Sequence, residues 1–279
     1  MIYGNQKSYL PTDPQRKRAF VKLGGALNWP GWIVFALVLL IWEFGSRNNP
    51  ALQSYLPPVS RILSSLGELI LSGRIVSHLM ITVSRFLQGY LLAASIAVIL
   101  GTVLGYFRLA HSLFEAVIEF LRPMPSVATI PVAVLLLGIS AAMIVAVTVY
   151  ASLWPVLINT IDGVRHLERT LINTGRTFGL NRRKILWLVV LPAAAPYIIT
   201  GLRISLSIAL ILVTTAEMIA GSRGLGFFIL DQERSMNSGN MYAGVILVSA
   251  LGYLLNRLFV LGEGWAMNWR RGMIARESI

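Results

Sequence analysis

Charged residues are spaced along this chain so that several long stretches carry none. Residues 23–42, 86–107 and 235–256 are each charge-free, and each is long enough for one bilayer crossing, which takes about 20 apolar residues. Residues 123–161 form a run long enough for two crossings, with Gly138-Ile139-Ser140 as the break between them. A charge at the centre of a membrane helix costs at least about 2.5–3.5 kcal/mol on insertion scales, so such gaps mark spans. A sixth span covers residues 193–220, although it contains Arg203 and Glu217. The pattern predicts an all-α, polytopic membrane protein with six transmembrane helices.

Two segments between the spans have patterns of their own. Residues 47–74 open with Asn48-Asn49-Pro50, pass Leu56-Pro57-Pro58, and then place Ile62, Leu63, Leu66, Leu69 and Ile70 at helical spacing. This reads as a loop and a short amphipathic helix. In residues 163–190, Leu167, Leu171, Ile172 and Phe178 recur at helical intervals among Arg165, Arg169, Arg176, Arg182, Arg183 and Lys184. Gly179 interrupts that helix, a second run Ile185-Leu186-Trp187-Leu188 follows, and Leu191-Pro192 is expected as its stop. Such a segment fits an interfacial helix resting on anionic lipid or a docking element for a cytoplasmic partner; the pattern alone leaves both open.

Composition supports the membrane reading: 56% of the 279 residues are hydrophobic and 13% charged, against about 25% charged in an ordinary soluble domain. Charge then sets orientation. With a cytoplasmic N-terminus, the inner segments hold Lys7, Arg16, Lys17, Arg18, Lys22, Arg108, Arg165, Arg169, Arg176, Arg182, Arg183, Lys184, Arg270, Arg271 and Arg276. The outer segments hold Arg47, Arg61, Arg74, Arg223 and Arg234. Fifteen against five is the positive-inside bias, so both ends are expected in the cytoplasm. The same bias accounts for the net charge of +12 without a nucleic-acid partner, the other common reason for a basic chain. Residues 1–28 are too long and polar for the start of a cleaved signal, so the first span is expected to stay as an anchor.

Catalytic chemistry is hard to place here. There is no Cys, and His78, His111 and His166 are isolated from any second ligand at helical spacing, so no metal site is expected. No nucleophile with a base occurs, and no G-x-x-x-x-G-K-[ST] phosphate loop, so neither a catalytic residue nor nucleotide hydrolysis is expected on this chain. Glu115 and Glu119 read as a solvated helix face. A secondary carrier driven by an ion gradient is the rival class, and it would show matching interruptions in two halves that are not seen.

The loop carries a specific resemblance. Asn173-Thr174-Gly175-x3-Gly179-x9-Val189-x-Leu191-Pro192 resembles the EAA loop of ABC importer permeases, E-A-A-x3-G-x9-I-x-L-P, with Asn173, Thr174 and Gly175 departing from its first three residues. The rest of the chain is similar to the taurine, alkanesulfonate and nitrate branch of those permeases. The matching stretches include Leu56-Pro57-Pro58-Val59, Thr82-Val83-Ser84-Arg85-Phe86, Leu121-Arg122-Pro123-Met124-Pro125-Ser126-Val127-Ala128 and Trp154-Pro155-Val156-Leu157-Ile158-Asn159-Thr160. Pro196-Tyr197-Ile198-Ile199-Thr200-Gly201-Leu202-Arg203, Ala216-Glu217-Met218 and Gly224-Leu225-Gly226 complete the set, which covers about residues 40 to 265.

The resemblance implies a type I ABC importer permease in a bacterial inner membrane, importing a small anion such as taurine, an alkanesulfonate or nitrate. Its implied partners are a second permease copy, two cytoplasmic ATPase subunits that bind ATP and Mg, and an extracytoplasmic solute-binding protein. It divides the chain into a cytoplasmic segment over residues 1–28, one transmembrane domain over 29–265 with its docking loop at 163–190, and a cytoplasmic tail over 266–279. ATPase docking falls on Asn173, Thr174, Gly175, Arg176, Thr177, Phe178, Gly179, Leu180, Leu191 and Pro192. Phe178 and Leu180 are expected as apolar anchors either side of Gly179, and Pro192 as the first turn of the fifth span.

The remaining candidates are polar groups inside spans. Arg203 and Glu217 lie 14 residues apart, about 40° from the same helix face and about 21 Å along it. They cannot pair with each other, so each is expected to find a partner on another span or subunit, as a pathway or a structural residue. Arg122 precedes Pro123 and Pro125, which are expected to fix a helix start; with Ser126 this arrangement suits a passing anion, or else Arg122 snorkels to headgroups. Gly101-x3-Gly105 is expected to serve helix packing.

Overall fold

The computed structural model describes residues 29–266. The ends expected in the cytoplasm, residues 1–28 and 267–279, lie outside that range. All regular structure among the described residues is helical. The chain divides after Ser60 into two units.

The first unit holds α1 (Trp29–Arg47) and the single turn α2 (Pro50–Gln53). Asn49 starts α2 by accepting a bond from the Ala51 N–H, with Pro50 at the first helical position. Past α2 the chain folds back onto the end of α1. Trp42 Nε1 donates to the Pro57 carbonyl at 3.1 Å and Ser46 Oγ to the Leu56 carbonyl at 2.6 Å. Glu43 accepts from both the backbone N–H and the hydroxyl of Ser60. The Leu-Pro-Pro stretch is thereby pinned, with both prolines buried.

The second unit begins in α3 (Val59–Leu71), the amphipathic helix expected from the sequence, with Ile62 and Leu69 buried and Leu63 and Ile70 exposed. Then come α4 (Arg74–Tyr106), α5 (Arg108–Leu121), a 3₁₀ turn Ser126–Thr129, α6 (Ile130–Leu137) and α7 (Ala141–Arg165). The short α8 (Arg169–Thr177) leads to α9 (Arg182–Ile185), a π-helical stretch Leu186–Val190, α10 (Leu191–Ala220), α11 (Leu225–Arg234) and α12 (Ser238–Ala266).

Five helices are long and apolar enough to cross a membrane, and their limits differ from those read off charge-free gaps. The second runs Arg74–Tyr106 rather than from residue 86, and the fourth, expected as the fifth of six spans, runs Arg182–Ala220 rather than from residue 193. Charged residues interrupt hydropathy without ending a helix, because a long side chain can carry its charge to water or to a partner. The third span is corrected most. Pro123 and Pro125 lack the N–H groups a helix needs and keep residues 122–125 outside any helix, so only Ile130–Leu137 is α-helical there. The sixth candidate is instead a bent pair, Arg108–Leu121 with Ser126–Leu137, turned by 90° at the break.

Packing shows that this bent pair has to cross. A Cβ on Gly89 would meet Thr148, one on Gly101 would meet Thr160 and one on Gly105 would meet Val164, each at 2.6–2.7 Å. The partner numbers differ by 59 every time, so α4 and α7 run parallel. Gly89, Ala93, Ala97, Gly101 and Gly105 repeat every four residues and make a smooth stripe, against which α7 lays Thr148, Ser152, Val156, Thr160 and Val164. The buried hydroxyls of Thr148, Ser152 and Thr160 donate to carbonyls four residues back in their own helix. Two parallel spans require the chain to return across the bilayer between residues 106 and 141. Helix α10 then runs antiparallel to α7, with Gly163 against Tyr197 and Gly201 against Asn159. Tyr106, Arg165 and Arg182 consequently share one end of the bundle.

The seam makes a prediction. Gly101→Val should push α4 off Thr160 and lower the thermal midpoint of the purified chain, by the equivalent of about 1–3 kcal/mol for overpacking. Gly262→Ala, where nothing lies within 4 Å, should change it little; equal effects from the two would mean the seam does not hold the spans.

Candidate functional site

Helix α8 displays the docking candidates. Its end is a Schellman turn: Gly179 has φ 75°, its N–H donates to the Arg176 carbonyl, and the Leu180 N–H donates to the Gly175 carbonyl. The left-handed φ is what a glycine provides at no steric cost. The turn separates the two residues expected as paired anchors. Phe178 is 80% exposed, whereas Leu180 is carried back onto Gly175 and packs with Val164, Ile185 and Val190. That is the usual hydrophobic closure of this motif, so Leu180 is a floor and Phe178 alone projects.

Asn173, Thr174, Arg176 and Thr177 are exposed, and the Thr174 and Thr177 hydroxyls donate to carbonyls of their own helix. Gly175 is buried where α8 crosses the following helix, and a Cβ there would sit 3.5–3.7 Å from Ile185, Val189 and Leu180, an ordinary contact distance.

Beyond the turn, Asn181 accepts a bond from the Lys184 N–H and starts a helix that does not stop at Leu191-Pro192. The stop expected there is absent for a physical reason. Pro192 has no N–H to give and its ring crowds the carbonyl four residues back; the chain widens instead into π-helical turns, with the Leu191 N–H donating to Leu186 five residues back. The span thus extends from Arg182 beside the loop to Ala220 at the opposite end of the bundle.

At that opposite end lies Glu217, 0% exposed. Its Oε1 accepts from Arg85 Nη1 at 2.9 Å; its Oε2 accepts from the Thr82 hydroxyl at 2.7 Å and from the Gly226 N–H at 3.1 Å. Thr82 Oγ1 in turn accepts from the Leu225 N–H, and Arg85 also donates to the Arg223 carbonyl. The His78 ring nitrogen Nδ1 lies 3.1–3.2 Å from the backbone of Gly224, whose absent Cβ leaves room for the Glu217 carboxylate. One carboxylate therefore ties α4, α10 and the start of α11 together. Arg85 was missed as its partner because charge-free windows treat a charge as a boundary; the signal was a lone cation and a lone acid inside two spans.

The other polar candidates lie apart. Arg203 is 51% exposed and reaches Glu263 on α12 at 3.9 Å. Arg122 caps the C-terminal end of α5, its N–H donating to Ile118, and the helical start expected after the prolines is a 3₁₀ turn with Pro125 as its N-cap, four residues further on. The Met124 N–H is spent on Leu121, and Pro123 and Pro125 have none, so residues 123–125 offer an anion no backbone donor. A cation suits the carbonyl end of a helix. Ser126 begins the 3₁₀ turn, and its carbonyl accepts from the Thr129 hydroxyl.

Residues 93–263 match the family model for binding-protein-dependent transport system inner membrane components. The chain belongs to that family. It is 34% identical to an ABC transporter permease protein of Methanocaldococcus jannaschii, over 85% of this chain and 91% of that one. A Bacillus subtilis permease protein named for aliphatic sulfonates transport is 28% identical over 86% of this chain and 87% of its own. The bicarbonate transport system permease of Synechococcus elongatus is 32% identical over 67% of each. Among solved structures, a chain of the MetNI methionine ABC transporter in an inward-facing conformation superposes with a TM-score of 0.59 at 18% identity, covering 69% of this chain and 95% of that one. The fold is that of a type I ABC importer permease, and the chain is a membrane permease subunit of such an importer.

The buried pair generates a prediction. Glu217→Gln should destabilise the permease by about 3–5 kcal/mol, because it leaves Arg85 without its counter-charge. Replacing both, Glu217→Met with Arg85→Met, should cost less than the two single changes summed, read as thermal midpoints in detergent; strict additivity would mean the pair is not a unit.

Proposed function

We propose that this permease forms the path for a small anion and is driven through its basic loop by a separate ATPase. In this reading two permease copies pair, two ATPase subunits bearing ATP and Mg dock on residues 173–180 in the cytoplasm, and an extracytoplasmic binding protein delivers the solute. The observation that supports it is the unbroken helix Arg182–Ala220. A load applied to α8 enters at one end of that helix and arrives at Glu217 near the other, so Leu191 and Pro192 lie on the transmitting shaft. The fifteen-to-five distribution of Lys and Arg favours a cytoplasmic position for the loop and for both termini, in a bacterial inner membrane.

Docking makes a test that also reads orientation. The ATPase should bind inverted membrane vesicles and not right-side-out ones. Gly179→Val, which forces a β-branched residue into φ 75°, should misplace Phe178 and reduce that binding while the chain still inserts. Gly175→Ala has room for its methyl group and should be neutral or stabilising by up to about 1 kcal/mol. Full ATPase binding by the Gly179 variant would leave the loop as a lipid-resting helix.

The substrate class rests on relatives named for aliphatic sulfonates, bicarbonate and nitrate, which share a small anion. Taurine or an alkanesulfonate is placed first, with Arg122, Pro123, Pro125, Ser126 and Arg203 as candidates along the path; Glu217, fully buried and bonded at both oxygens, is read as structural. The binding protein that stimulates ATP hydrolysis by the reconstituted complex should prove by calorimetry to bind a sulfonate. Arg122→Gln should then slow uptake and leave ATPase association intact. A neutral or cationic ligand would defeat the anion reading.

A further inference from the structure

At the loop end of the bundle, a cavity of about 910 Å³ opens between the turn that joins α4 to α5, the end of α7 and the inner face of α8. Its lining brings together Arg108, Arg165, Arg176 and Arg182 from four separate elements. No carboxylate is in that lining, and among the described residues none of the four arginines makes an ion pair. Four exposed arginines lining one space repel each other, which is tolerable only where water or an anion answers them.

The lining is also partly apolar, with Leu109, Val164, Leu167 and Ile172, and with Tyr106 and Phe107 packed edge to face at 5.0 Å. The site therefore offers cations and an apolar surface together at the ends of two spans, the level at which headgroups meet hydrocarbon. Basic pockets between spans on the cytoplasmic side take anionic headgroups, and the volume is within the range of small-molecule sites, about 300–1,000 Å³. Helix α8 faces the cavity with Ile172, Asn173 and Arg176. Its outward apolar residues, Leu171 and Phe178, seven positions apart on another face, do not line it.

We propose that this cavity binds the phosphate-bearing headgroup of an anionic phospholipid, set directly behind the loop helix. The inference rests on the proposed cytoplasmic position of the loop for its leaflet, though not on ATPase docking for the binding itself. A lipid held there touches α8 through Ile172, Asn173 and Arg176, the last two of which also belong to the proposed docking segment, so the lipid composition of the leaflet would tune how firmly the loop is held.

The test uses the full chain, delipidated in a nonionic detergent and offered dioleoyl phosphatidylglycerol or dioleoyl phosphatidylcholine, with bound lipid counted by native mass spectrometry. Phosphatidylglycerol should be retained selectively. Arg108→Gln should weaken retention about fivefold, and Arg108→Gln with Arg165→Gln about 25-fold, following the usual contribution per basic residue near an anionic surface. Both arginines are exposed, so melting in the neutral lipid should be unchanged, and the single variant carries the result if the double one folds poorly. Equal retention of the two lipids would overturn the proposal. So would displacement of phosphatidylglycerol by equimolar inorganic phosphate, which would assign the site to a soluble anion. Loss of ATPase binding in the double variant with lipid retention unchanged would also overturn it, because the cavity would then be a protein interface. Failure of the unaltered chain to bind any ATPase would sink the docking reading alone.

Discussion

A carboxylate within membrane-spanning helices persists only if its oxygens are answered by donors, because the surroundings supply no water and an unpaired charge there is costly. Glu217 meets that condition through a guanidinium and a hydroxyl of α4 and a backbone N–H at the start of α11. The requirement constrains everything near it. Thr82 and Arg85 have to lie on one face of α4, the chain has to turn sharply after Ala220, and residue 224 has to leave space for the acid. The donors fix where α4 meets α10 at one end, and the small-residue seam fixes how α4 meets α7 along their length.

These two devices differ in kind. The seam is shape without chemistry: glycine and alanine let backbones approach, and the gain is contact with no polar group exposed. The buried pair is chemistry with little shape, since its worth over an apolar substitute is small while its half-removal is expensive. Together they define a rigid three-helix unit. The loop, by contrast, is held by a Schellman turn and a patch of aliphatic contacts, which permits it to move as a body relative to solvent while staying attached to α10.

Much of this was legible in the sequence, and what was not has identifiable causes. Hydropathy found the spans because the bilayer imposes a length and a cost on every charge. It misplaced their limits because Arg85 lies inside the helix it bounds in a charge-free reading, and Leu191-Pro192, expected as a stop, lies inside the long helix Arg182–Ala220. The third crossing was obscured because two prolines split it and half of its length comes from α5, whose polar residues disguise it. Gly179 was readable as a turn from its spacing alone. The inward course of Leu180 was not, because that follows from the 6→1 bond rather than from the apolar pattern. The absence of partners for Arg203 and Glu217 within their own helix was likewise plain, while the identity of the partners, Glu263 and Arg85, required a three-dimensional arrangement.

The widened turns at residues 186–190 have a consequence for how the two ends of the long helix are phased. A π-helical stretch amounts to one surplus residue in an otherwise α-helical register, and each helical residue turns the chain by about 100°. The wider turns absorb that surplus locally, so the loop and Glu217 keep nearly the relative azimuth that an uninterrupted α-helix one residue shorter would give them. Trimming one residue would return the stretch to α-helical register and set the Pro192 ring against the carbonyl four residues back, with the flanking turns nearly unmoved. The irregularity thus acts as a take-up, letting one helix carry a proline between the loop and Glu217 without redirecting either end.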